Sequence, residues 1–180
     1  MKPLETERLI LRRWQSEDID PFVKINQDPK VREFLYPVEQ SREDTIDMIT
    51  RFNKHIDAHG FGLFATELKS TGELIGFVGL NIPNLEADFT PCVEIAWRLS
   101  SQYWRKGYAT EAAKRTLEFA FQNLNLNNVF AFTSVRNIPS VAVMKKIGMQ
   151  RVPGGDFHHP KLPVEHPLSL HLLYQANKPN

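Results

Sequence analysis

Trp104-Arg105-Lys106-Gly107-Tyr108-Ala109-Thr110-Glu111 stands between an alternating apolar run and a long amphipathic one, and the fold turns on how it is read. Upstream, Cys92 to Leu99 alternates Val93, Ile95, Trp97 and Leu99 with Glu94, Ala96 and Arg98, the period of a strand. Downstream, Gly107 begins a helix whose Ala109, Ala112, Ala113, Leu117, Ala120 and Phe121 form an apolar stripe down to Leu124. A strand, a basic loop and a helix that opens with small residues make an anion cradle. The first helical turn has N–H groups without intrahelical partners, the helix dipole is positive there, and Gly107 and Ala109 keep side chains out of the way. Arg105 and Lys106 add mobile positive charge. The same letters also suit an ordinary helix start with a glycine near its cap, so the neighbouring segments must decide.

Outward from this stretch, Val129 to Val135 reads as a buried strand, and Asn137-Ile138-Pro139-Ser140 opens a helix through Val141, Met144 and Lys145 to Gly148. The tail turns repeatedly between Pro153 and Pro167 and ends in an apolar strand, Leu168 to Tyr174, suited to antiparallel pairing beside Val129. Toward the N-terminus, Phe61 to Leu68 and Glu73 to Ile82 form a hairpin around Lys69-Ser70-Thr71-Gly72. A helix from Ser41, with Asp44 completing a capping box, runs to about His59 and stops at Gly60. Arg8 to Trp14 makes a first strand, Ser16 offers a helix cap, and two short helices follow up to Leu35.

Composition bounds the function. The chain has 180 residues, 42% of them hydrophobic, with 22 Lys and Arg against 21 Asp and Glu. This suits one globular domain spanning residues 1–180 and gives no reason to expect nucleic-acid binding. A lone Cys92, a charged N-terminus and the polar residues within Phe119 to Val135 lead us to expect a cytoplasmic protein without disulfides or a membrane span.

The ordered features resemble the GNAT superfamily of acyl-CoA-dependent N-acetyltransferases over nearly the whole chain. Trp104 to Ala112 is similar to its acyl-CoA motif, Gln/Arg-x-x-Gly-x-Gly/Ala, with Trp104 departing at the first position. An aromatic residue there resembles the RimJ/RimL-like branch of ribosomal-protein N-terminal acetyltransferases. Leu4-Glu5-Thr6-Glu7-Arg8-Leu9-Ile10-Leu11-Arg12 is similar to that branch's opening strand, and Asn137 to Ser140 followed by Lys146-Ile147-Gly148-Met149 resembles its second CoA-contacting segment. The resemblance implies a mixed α+β fold: a mostly antiparallel central sheet of about six to seven strands, helices on both faces, and a V-shaped splay between the two central strands. It implies acetyl-CoA as cosubstrate, held by amides of Arg105, Lys106, Gly107, Tyr108, Ala109 and Thr110. Trp97, Leu99, Asn137 and Ser140 complete the cofactor-binding set, and no metal is implied.

An amine attacks a thioester only when unprotonated, and reference pKa values of about 8 for an α-amine and above about 10 for lysine call for a base at neutral pH. Glu94, a carboxylate on the small-residue face of its strand, is the candidate, its alternative being an ion pair with Arg98. Ser140 is the resemblance-based candidate for protonating the departing thiolate, its alternative being a helix-start hydroxyl bonded to nearby backbone. Many relatives in the superfamily carry a tyrosine four residues before the helix-ending glycine. Met144 stands there in this sequence, leaving Tyr108 or Tyr174 as substitutes. Asn137 reads first as a helix cap. His158, His159, His166 and His171 invite a metal reading without the matched carboxylate or thiol spacing, and line the acceptor mouth or a polar loop instead. Cys92 lacks a nucleophile's partners and reads as a strand residue. The acceptor is an amine, of a protein N-terminus first and of a small molecule second, shaped by Val31 to His59 and Pro153 to Pro167; the enzyme is expected to be a monomer or a homodimer. A non-catalytic acyl-CoA binder is the remaining alternative.

Overall fold

The N-terminal alternation is realised as β1 (Leu4–Glu5) paired with β2 (Leu9–Arg12), in which Leu9 and Leu11 are fully buried. The computed structural model describes residues 2–36 and 41–179. The chain divides into two compact units: Met1–Asn81 with Ala96–Thr116, and Ile82–Ile95 with Leu117–Asn180.

The first unit continues through α1 (Ile19–Gln27), α2 (Pro29–Arg32), α3 (Arg42–His59), β3 (Leu63–Leu68) and β4 (Leu74–Asn81), then takes in most of β5 (Glu94–Leu99) and the start of α4 (Tyr108–Gln122). Its strands lie in the order β1-β2-β3-β4-β5, with Leu9 opposite Leu68 and Ala65 opposite Phe77 in antiparallel register. Trp14, Phe22, Ile25, Met48, Ile49, Leu63, Ala65, Leu74 and Phe77 form its core, with Phe52 and Ala96 packed against them. Trp14 lies 4.7 Å from Phe22, centroid to centroid, and its indole N–H reaches the Leu63 carbonyl at 2.7 Å, so a bulky ring is buried without an orphaned donor. Truncating a fully enclosed ring such as Phe22 to alanine costs about 3–5 kcal/mol.

Local signals act as read at α3. The Ser41 hydroxyl accepts from Asp44 N at 3.0 Å while Asp44 accepts from Ser41 N at 2.8 Å, and Gly60, at φ 72°, ends the helix. Ser16 does not cap a helix. It lies inside a single 3-10 turn, Ser16–Asp18, where the Asp18 carboxylate accepts from Gln15 N at 2.8 Å and from Arg12 at 2.7 and 2.8 Å, a stronger set of contacts than a hydroxyl offers.

The second unit holds the first residues of β5, the end of α4, β6 (Asn128–Ser134), α5 (Ile138–Lys146), β7 (Gln150–Arg151), β8 (Phe157–His158) and β9 (Leu170–Asn177). Here β5 begins parallel to β6 with Glu94 opposite Phe130, β6 pairs antiparallel with β9, and β7 and β8 pair with β9. The expected strand beside Val129 is therefore present, shifted to Leu170–Asn177. The architecture is the mixed, mostly antiparallel open sheet with flanking helices. Among the described residues six strands have four or more residues, and β1, β7 and β8 add two-residue segments. No helix among the described residues is long and apolar enough to cross a membrane.

Candidate active site

In the first unit, β5 is followed by a 3-10 turn at Ser101–Tyr103, where Tyr103 N donates to Ser100 O at 3.0 Å. Trp104 is extended and anchored by its indole N–H, which donates to the Leu99 carbonyl at 2.8 Å. Arg105 then takes φ 61° and Gly107 φ 85°. Two left-handed residues around Lys106 curl the backbone ahead of α4, and Arg105 holds that conformation against the cost its Cβ imposes. Gly107 supplies the first helical carbonyl, accepting from Glu111 N at 2.9 Å, so the amides of Tyr108, Ala109 and Thr110 belong to the turn that helix geometry leaves without internal partners. The chain thus sets consecutive N–H groups, the positive helix end and the exposed Arg105 and Lys106 in one place, a fit to a pyrophosphate group.

This loop is clamped from the N-terminal strand pair, a feature that our sequence reading missed. Glu111 accepts from the Thr6 hydroxyl at 2.6 Å, from Arg8 N at 2.9 Å and from Arg8 Nε at 2.6 Å. Arg8 Nη1 donates to the Lys106 carbonyl at 3.2 Å, and its guanidinium lies 4.4 Å over the Tyr108 ring. Burial pushes the Glu111 carboxyl up, but the Thr6 and Arg8 hydrogen bonds overcome it and hold the group below the ordinary range. The available signal was Thr6 and Arg8, two apart in the turn between β1 and β2, with an acid in the first turn of α4.

Glu94, Asn137 and Ser140 all fall in the second unit, Glu94 on β5 and the other two at the start of α5. Glu94 opens β5 and is half-buried. Cys92, two residues earlier, has its thiol pushed up to about 11 by burial and by the Glu94 charge, which removes it as a nucleophile at neutral pH. Asn137 caps α5, its Oδ1 accepting from Ser140 N at 3.2 Å, and so fixes the backbone that carries the half-buried Ser140 hydroxyl. Met144 and Tyr174 are both buried, and the Tyr108 ring lies under Arg8 in the first unit. Trp97 and Leu99 lie on the part of β5 that belongs to the first unit, where Arg98 donates to the Asn26 carboxamide at 2.8 Å and burial pushes its guanidinium down to about 10.

The C-terminal histidines pair with protein atoms. His158 Nδ1 meets the Ser169 hydroxyl at 2.9 Å and His171 Nδ1 the Ser169 carbonyl at 2.9 Å, and among the described residues no group of three or more His, Cys, Asp or Glu is placed to hold a metal ion.

The model of the acetyltransferase (GNAT) domain family matches residues 8–150. This chain belongs to the GNAT acetyltransferases. It is 32% identical over 156 residues to the uncharacterized N-acetyltransferase p20 of Bacillus licheniformis, covering 84% of each chain. A GNAT-family acetyltransferase of Bacillus anthracis superposes with TM-score 0.78 at 26% identity over 98% of both chains. The spermidine N-acetyltransferase of Vibrio cholerae, solved with CoA and spermine, has the same fold, with TM-score 0.74 at 19% identity over 96% of this chain and 97% of that one. The protein is accordingly an acetyl-CoA-dependent N-acetyltransferase.

Proposed function

We propose that this GNAT enzyme acetylates an α-amine, that of a protein N-terminus, by direct transfer in the manner of the RimJ/RimL-like branch, and that it does so in the cytoplasm. The observation that supports the donor side is the pair of positive φ angles at Arg105 and Gly107 ahead of α4, a backbone curl that suits a reading in which the amides of Gly107 to Thr110 converge on one anion. In this reading those amides, with Arg105 and Lys106, hold the diphosphate, and Trp97, Leu99 and Asn137 line the path of the thiol arm. Acetyl-CoA supplies the activated acyl carbon. Glu94 takes a proton from the arriving ammonium through water, the amine nitrogen bonds to the acyl carbon, the carbon–sulfur bond breaks, and the Ser140 hydroxyl hands its proton to the departing sulfur and is restored by the second proton that the nitrogen sheds as the amide forms. An α-amine suits a single carboxylate base because its reference pKa is about two units below that of lysine. The opening strand and Trp104, which resemble the RimJ/RimL-like branch, support the protein N-terminus over a free amine.

Release of free CoA thiol, followed with a panel of N-terminal peptides and small amines, tests the reading. Glu94→Gln is expected to lower kcat/KM by about 10²–10³-fold at pH 7 and by clearly less at pH 9, where the acceptor sheds its own proton. An equal loss at both pH values removes Glu94 as the base, and binding of acetyl-CoA without turnover of any amine leaves a binding protein.

A further inference from the structure

A line of rings in the second unit has no part in the chemistry above. Phe89 lies 5.8 Å from Phe130, 5.8 Å from Phe132 and 5.1 Å from Phe157, centroid to centroid, and Phe132 and Phe157 meet edge-on at 5.6 Å. His171 continues the line at 5.6 Å from Phe157, and His159 stands 5.1 Å from His171. Unlike the sealed rings of Trp14 and Phe22, every member is only half-buried. Half-exposed aromatic groups gathered from four segments of chain leave apolar surface for something to cover.

Register fixes what this surface adjoins. Glu94 is opposite Phe130 and Ser134 is opposite His171, and residues opposed across a strand pair share a face, so Glu94, Phe130, Phe132 and His171 all lie on one face. The rings are held in place. Thr90 N and its hydroxyl donate to Ala87 O at 3.0 and 2.8 Å, closing the turn that carries Phe89, and His159 N donates to Ser169 O at 2.9 Å beside Phe157. The contact of His171 Nδ1 with a carbonyl places its proton there and leaves Nε2 as an acceptor. Burial lowers the affinity of both His159 and His171 for a proton, with the Lys161 charge adding to the effect at His159 and His159 itself to that at His171, so both imidazoles are neutral at neutral pH.

We propose that this aromatic face is the acceptor subsite and that it takes an α-amine whose α-carbon bears an aromatic or large aliphatic side chain, with the ammonium toward Glu94 and the side chain covering Phe89, Phe132 and Phe157. The proposal rests on the α-amine reading given above and names its substrate class. Burial of an apolar side chain favours the complex, and ring faces attract the cationic nitrogen. A polyamine carries charge along its length and requires carboxylates spread along the face, and on the paired strands the register places a single one there, Glu94. An α-amine of glycine or serine leaves the rings uncovered.

The test is kcat/KM at saturating acetyl-CoA for peptides differing only in a first residue of Phe, Leu, Ser or Gly, beside phenylalaninamide and spermidine. Phe and Leu acceptors are expected to exceed Ser and Gly by about tenfold or more. In Phe157→Ala and Phe89→Ala that preference shrinks, through a raised KM for the Phe acceptor. Phenylalaninamide against the Phe peptide separates a free amine from a chain terminus as the source. Should an alanine variant fail to fold, the unaltered enzyme still decides, because 3-phenylpropanamide, which lacks the amine, is expected to compete with the acceptor. Equal rates for all first residues, spermidine as the best acceptor, or no competition by 3-phenylpropanamide overturns the subsite while leaving the transferase standing. Absence of turnover with every amine overturns the α-amine reading itself, and this proposal with it.

Discussion

At Gly107 a single hydrogen atom in place of a side chain shapes the proposed donor cradle. Its φ of 85° lies in the left-handed region, and a Cβ there would stand 3.3 Å from Arg8 Nη2. Gly107→Ala therefore carries a backbone cost of about 1–2 kcal/mol and presses on the arginine that steadies the loop. The expected outcome is a KM for acetyl-CoA raised about tenfold with kcat less affected, checked by steady-state kinetics with circular dichroism to confirm the fold. An unchanged KM would place the diphosphate elsewhere. Arg105 shows the opposite economy: a side chain in the same backbone region, retained where its charge is presented to solvent.

At the scale of elements, the clamp between the β1–β2 turn and the first turn of α4 is the joint to test. Glu111 binds fewer protons folded than unfolded, so its contribution is present above the unfolded pKa of about 4.3 and is lost as pH falls through the lower folded value. Glu111→Gln keeps the shape but removes the charge; a loss of about 1 kcal/mol in urea unfolding at pH 7 is expected, discounted for the exposure of Arg8, and the gap to the unaltered protein should close below pH 4. Elements with strong local chemistry were legible in the sequence: the capped helix at Ser41, the 63–81 hairpin, and the strand, loop and helix around Trp104, whose residues are consecutive. The two-residue strands were not, because Leu4–Glu5, Gln150–Arg151 and Phe157–His158 are ordered by their partners rather than by any period of their own. The same reason hid the aromatic face. Phe89, Phe130, Phe157 and His171 come from four segments, and no window of sequence contains them together. Part of the expected acceptor-shaping stretch Val31 to His59, residues 37–40, lies outside the described residues.

For the molecule as a whole, acid should act in two steps. Burial holds His55, His159 and His171 below the ordinary imidazole value, and among the described residues His55 Nε2 is buried without a hydrogen-bond partner. These groups bind more protons unfolded than folded. Stability is therefore complete above about pH 6.5 and declines as pH falls through that value, before the carboxylates of Glu111 and Asp44 come into play near pH 4. Thermal melting from pH 8 to pH 3 is expected to show a decline between pH 7 and 5 and a second, steeper one below 4. A flat profile from 7 to 5 would mean that the imidazoles are free to charge in the folded chain.

The desolvated Cys92 has a practical corollary for the bench. Disulfide dyes that turn yellow on meeting sulfur anions react slowly with a sole cysteine whose thiol is pushed up to about 11, so in a coupled colour assay the signal from liberated product is expected to outrun that of the catalyst.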